Sequence, residues 1–121
     1  MNNCLVFMLD NDKDFLKLYS TLLNRKGCQV FATDNLFLLL KYAKTAIPSW
    51  IFIDEDFAQG NIEELLNILD KNISSASTKY TIMNHQKDHL PHSTHNSTNY
   101  IYKPCALEKM MQLAENCCIM Q

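Results

Sequence analysis

Apolar residues in this chain follow two patterns that take turns along it. Short continuous runs at Cys4–Leu9, Gln29–Ala32, Trp50–Asp54, Tyr80–Met83 and Tyr100–Tyr102 have the length and composition of strands. Between them, apolar residues recur every three or four positions, as on one face of a helix. Phe15, Leu18, Tyr19, Leu22 and Leu23 make the first stripe, with Asp10-Asn11-Asp12 before it as turn and N-cap and Gly27 closing it. Asp34 is expected to cap a second helix carrying Leu36, Leu39, Leu40 and Ala43, and Pro48 ends the connection that follows. Asn61 starts a third helix with Ile62, Leu65, Leu66 and Leu69, and Ser74–Ser77 reads as a loop. Leu107, Met110, Met111 and Ala114 form the stripe of a last helix, beyond Pro104.

One segment fits neither pattern. From His85 to Thr98 Leu90 is the sole large apolar residue and Pro91 interrupts the chain, which predicts a short, frayed or irregular fourth helix. With so little apolar surface to hold it down, the segment is expected to be mobile or partly unwound.

The alternation of strands and helices predicts a five-stranded parallel sheet with helices on both faces. The run Trp50-Ile51-Phe52-Ile53 is apolar on both faces, as a central strand requires, and leads straight into Asp54, Glu55 and Asp56. Sheets of this kind bind ligands outside the carboxyl ends of their strands. Asp54 therefore sits where a reacting group belongs, although a three-acid cluster taken alone is more often a solvated loop. The ends of the first and third strands are expected side by side, bringing Asp10, Asn11 and Asp54 together. Two carboxylates and an amide suit Mg²⁺, whose remaining positions water and phosphate fill. Lys103, ending the last strand, offers a point charge to the same corner.

Composition narrows the remaining choices. At 121 residues the chain fits one domain. A net charge of −2 with scattered basic residues disfavours nucleic acid and anionic membrane as partners. No signal or membrane span is visible at the amino end, and the five cysteines have no C-x-x-C spacing, so a cytoplasmic protein with reduced thiols is expected. Cys4 and Cys28, in apolar runs, read as small core residues. Gly27 and Gly60 are the only glycines, which excludes Gly-rich phosphate loops and disfavours a nucleotide or flavin cofactor. His85 and His89 have an i,i+4 spacing that suits a transition metal. Pro91 and the lack of an evident acidic second shell make a solvated loop the better reading of all four histidines, His85, His89, His92 and His95.

In their order, these motifs resemble those of the receiver domains of two-component response regulators (CheY-like), over the whole chain. The positions that match are Asp10-Asn11 after the first strand, Asp54 after the third, Asn84 after the fourth, Lys103-Pro104 after the fifth, and the aromatic Tyr100 three residues before the lysine. The resemblance implies a flavodoxin-like doubly wound sheet with strand order 2-1-3-4-5. It implies Asp54 as phosphoacceptor, Mg²⁺ held by Asp10, Asn11, Asp54 and the backbone carbonyl of Asp56, phosphate stabilised by Lys103 and Asn84, Tyr100 as switch aromatic, and a cis bond between Lys103 and Pro104. Three departures stand out. Asn11 replaces an acid, which weakens Mg²⁺ binding; Asn84 replaces a Ser or Thr; and Ala58-Gln59-Gly60-Asn61 replaces a Pro-Gly loop.

The expected function is that of a stand-alone receiver and not an enzyme, phosphorylated by a histidine kinase or phosphotransfer protein and signalling to an output protein by contact. A pseudo-receiver that does not switch by phosphorylation is the alternative that Asn11 and Asn84 motivate. The D-x-D forms Asp10-Asn11-Asp12 and Asp54-Glu55-Asp56 also look like haloacid-dehalogenase phosphatase motifs, but the chain is too short for the cap and further motif strands of those enzymes.

Overall fold

The computed structural model describes residues 4–73, 77–85, 98–102, 108 and 112. Its elements run β1 (Leu5–Leu9), α1 (Lys13–Arg25), β2 (Gln29–Thr33), α2 (Leu36–Ala43), β3 (Trp50–Asp54), a 3₁₀ turn (Glu55–Ala58), α3 (Ile62–Asn72), β4 (Lys79–Asn84) and β5 (Thr98–Tyr102). The five strands form one sheet in the order β2-β1-β3-β4-β5, and every neighbouring pair is parallel. The doubly wound, flavodoxin-like sheet expected from the sequence is therefore observed.

β1 and β3 are buried along their full length, and their alternate residues feed two separate cores. Val6, Met8, Trp50 and Phe52 pack with Phe15, Leu16 and Leu23 of α1 and with Cys4 and Cys28. Leu5, Phe7, Leu9, Ile51 and Ile53 pack on the other face with Leu39 and Ala43 of α2 and Leu65, Leu66 and Leu69 of α3. Each fully buried side chain of this size contributes about 1.5–3 kcal/mol relative to exposure, so both faces help fix the register.

Local signals set the helix ends. Asp12 caps α1: its Oδ1 accepts from the backbone N–H groups of Asp14 and Phe15, both at 3.1 Å. At the other end Gly27 adopts φ 96°, and the N–H groups of Gly27 and Cys28 donate to the carbonyls of Asn24 and Leu23. That is a Schellman closure, with Leu23 and Cys28 in the same core. After the 3₁₀ turn, Gln59 (φ 53°) and Gly60 (φ 80°) reverse the chain into α3.

Several sequence expectations are corrected. The cap of α2 is Asn35, not Asp34: Asn35 is extended and its Oδ1 accepts from Leu38 N–H, while the Thr33 hydroxyl oxygen accepts from Asn35 N–H. The stripe of α1 keeps Phe15, Tyr19 and Leu23 but not Leu18, which is 54% exposed; Leu16 is buried in its stead. β2 extends through Thr33, β4 runs from Lys79 to Asn84, and β5 begins at Thr98 because strand pairing continues beyond the apolar runs. The Lys103-Pro104 bond, the Ser74–Ala76 part of the loop, the segment between His85 and Thr98, and the stripe residues of the last helix lie outside the described residues. Of that helix Glu108 and Gln112 are described, both helical and exposed. Among the described residues no helix is long and apolar enough to cross a membrane.

Two outcomes follow for stability. Asp12→Ala should lower the unfolding free energy by about 1 kcal/mol through loss of the cap, measured by urea unfolding. Tyr80, 2% exposed, donates its hydroxyl to Asp70 Oδ1 at 2.8 Å; burial first, then this hydrogen bond and the Asp70 charge, push the phenol well above its ordinary value of 10.0. A raised folded value leaves the contribution intact below about pH 10 and removes it progressively above, as the unfolded chain loses a proton that the folded chain keeps. Stability measured against pH should fall above about pH 10, and less steeply in Tyr80→Phe than in the wild type.

Candidate functional site

The register Leu9↔Ile53 places the residues that follow, Asp10 and Asp54, beside each other at the carboxyl edge of the sheet. Both are buried, at 1% and 2% exposure. Asp10 Oδ1 accepts from Asp12 N–H at 2.9 Å, which turns the chain from β1 into the cap of α1. Asp54 Oδ2 accepts from Asp56 N–H at 3.1 Å and starts the 3₁₀ turn in the same way. Each carboxylate is thus oriented by the backbone two residues on, a rigid arrangement for groups meant to hold a fixed position.

The other oxygen of Asp54 meets a residue the sequence reading had assigned to a solvated loop. His85 follows directly after β4, and its Nε2 lies 2.6 Å from Asp54 Oδ1 and 3.4 Å from Asp56 Oδ2. With the carboxylate as acceptor, this bond takes the His85 tautomer that has its proton on Nε2. The His85 backbone N–H donates to Glu55 Oε1 at 2.9 Å, tying the start of this segment to the turn after β3. All three acids of the Asp54-Glu55-Asp56 cluster are therefore engaged around one histidine. The cluster is a built corner of the molecule, which corrects the reading of His85 as a residue without acidic neighbours. The signal was the register: Asp54 pairs with Met83, so a residue two beyond Met83 lies over the acids.

The remaining candidates divide by position. Asn11 is exposed beside Asp10. Asp56 has an exposed side chain, and its backbone carbonyl, the expected metal ligand, accepts from Gln59 N–H at 3.1 Å. That bond uses one of the two lone pairs of the carbonyl oxygen. Asn84 ends β4, 5% exposed and paired with Tyr102. Thr81, further back in β4, is fully buried and its hydroxyl oxygen accepts from Trp50 Nε1–H at 2.7 Å, which commits it to the core. Tyr100 is half-buried against the core that β1 and β3 share with α2 and α3. Its hydroxyl is buried with no hydrogen-bond partner among the described residues. Lys103 lies outside them.

No family model and no curated protein sequence matches the chain. Solved structures do. A response regulator receiver domain protein from Bacillus halodurans superposes with a TM-score of 0.75 at 15% identity, covering 95% of this chain and 97% of that one. A CheY-like receiver domain from Methylobacillus flagellatus gives 0.72 at 15% identity, covering 95% and 98%. A response regulator from Burkholderia pseudomallei, whose structure contains a phosphorylated aspartic acid and a calcium ion, gives 0.71 at 17% identity, covering 98% of this chain and 71% of that one. Strand order, parallel register and these likenesses agree: the chain has the fold of response-regulator receiver domains.

Proposed function

We propose that the chain acts as a receiver module that accepts a phosphoryl group on Asp54 and passes the signal on by protein contact. The observation that carries this reading is the buried Asp54 at the carboxyl end of the central strand, beside the buried Asp10, in a receiver fold. In this reading the chain is an acceptor and not an enzyme. Its partners are a histidine kinase or phosphotransfer protein on one side and an output protein on the other, in the cytoplasm.

The step asked of Asp54 is an attack by one carboxylate oxygen on the phosphorus of a phosphohistidine. An O–P bond forms, the N–P bond breaks and the electron pair returns to the donor imidazole. Positioning supplies much of the rate, and the backbone bond from Asp56 N–H to Asp54 Oδ2 leaves Oδ1 as the oxygen to react. His85 stands against that oxygen and has to swing away first. Mg²⁺ suits the oxygen donors here: the carboxylates of Asp10 and Asp54, the Asn11 amide and the remaining lone pair of the Asp56 carbonyl would hold it. Bound there, it would neutralise charge on the phosphoryl oxygens. Asn11 in place of a carboxylate makes that binding weak. Lys103 and Asn84 are assigned to the phosphoryl oxygens and Tyr100 to the readout.

The Asp54–His85 contact favours a second reading, a pseudo-receiver in which the imidazole permanently occupies the acceptor. Acetyl phosphate with Mg²⁺, followed by mass spectrometry, separates the two. The expected result is one phosphoryl adduct on Asp54, absent in Asp54→Asn. His85→Ala should label roughly fivefold to tenfold faster, the factor set by a contact of about 1 kcal/mol that must break before attack. No adduct in either the wild type or His85→Ala would leave the pseudo-receiver as the function.

A further inference from the structure

Asp54, Asp56 and His85 form a ligand set that differs in kind from the all-oxygen set expected for Mg²⁺. We infer that these three side chains bind a borderline divalent transition ion, of the Zn²⁺ or Co²⁺ class, through Asp54 Oδ1, Asp56 Oδ2 and His85 Nε2. Their ligand atoms lie within 4.8 Å of one another. Around an ion with bonds of about 2.0–2.1 Å, neighbouring ligand atoms stand about 2.8–3.4 Å apart in octahedral or tetrahedral geometry. The observed separations from Nε2, 2.6 and 3.4 Å, bracket that range. Small rotations of the His85 and Asp56 side chains, 39% and 72% exposed, would open the set around an ion, while buried Asp54 stays fixed by Asp56 N–H.

Charge and anchoring point the same way. A divalent ion would take the Nε2 lone pair of a neutral imidazole whose proton sits on Nδ1, and the two carboxylates would balance its charge. A single proton on Nε2 serves two facing carboxylate oxygens poorly; a metal ion can bind both. The imidazole is also delivered by an independent contact, the bond from His85 N–H to Glu55 Oε1, which holds the backbone of His85 over the turn. Imidazole nitrogen favours Zn²⁺, Co²⁺, Ni²⁺ and Cu²⁺ over Mg²⁺, which prefers oxygen and keeps its water. Exposure of His85 and Asp56 leaves a path for entry and room for water to complete the coordination. The inference does not depend on Asp54 being phosphorylated.

Calorimetric titration of the full chain with Zn²⁺, and separately with Mg²⁺, tests it, with circular dichroism confirming that each variant is folded. The wild type should bind one Zn²⁺ in this site. His85→Gln and Asp56→Asn should each weaken that binding, His85→Gln by on the order of 100-fold, with no comparable loss for Mg²⁺. A chain with His89, His92 and His95 all changed to Gln should keep it. Histidine NMR should show the His85 ring responding to stoichiometric Zn²⁺. The inference fails if the wild type does not bind Zn²⁺, if His85→Gln and Asp56→Asn bind it as the wild type does, or if the triple histidine variant loses it.

Discussion

The parallel pairing of β1 with β3 is the constraint from which the rest of the molecule takes its shape. Both strands are buried on both faces, so a slip of one residue would exchange the contents of the two cores, moving Phe7 and Ile51 into the place of Met8 and Phe52. The same register that keeps the cores apart also sets Asp10 level with Asp54. Two carboxylates are thereby buried next to each other by hydrophobic packing that contains no chemistry of its own. Each is held by the backbone N–H two residues ahead, so the turns into α1 and α3 start from the two carboxylates themselves.

What the sequence revealed of this arrangement depended on distance along the chain. Strands such as Trp50–Asp54 announce themselves because burial on two faces leaves an uninterrupted apolar run. The Asp12 cap and the Gly27 closure involve neighbours within a few residues, and both were legible. Asp34 and Asn35 were harder to separate, since either side chain can cap; backbone dihedrals and the Thr33 turn decided for Asn35. Leu18 was misplaced because it lies three positions from Phe15 while Leu16 lies three from Tyr19, so spacing admits either leucine; packing buries Leu16 and leaves Leu18 exposed. His85 was out of reach of any local pattern. Its partner is 31 residues away, and only the β3–β4 register shows that the two meet.

The candidate site consequently has two layers of different legibility. The lower layer, Asp10 and Asp54, is set by strand ends. The upper layer, His85 with Glu55 and Asp56, is built from the turn after β3 and the residue after β4. A histidine placed against the Asp54 carboxylate changes what the corner prefers, adding a nitrogen to a group of oxygens. Whatever reaches Asp54 must first contend with that imidazole, so the identity of the residue following β4 sets the chemistry of the pocket as strongly as the acids do.

Trp50 is the single tryptophan of the chain, and its position has a spectroscopic consequence. The indole is 6% exposed, bonded through Nε1–H to Thr81 across the β3–β4 pair, and it opens the strand that Asp54 ends. Four residues of extended chain, about 13 Å, separate the two. Its emission therefore comes from one chromophore in one buried environment, about four residues from the carboxyl edge. A closed-shell ion such as Zn²⁺ or Mg²⁺ at that edge would alter it mainly by reshaping the sheet, whereas a coloured ion such as Co²⁺ would quench it directly across that distance.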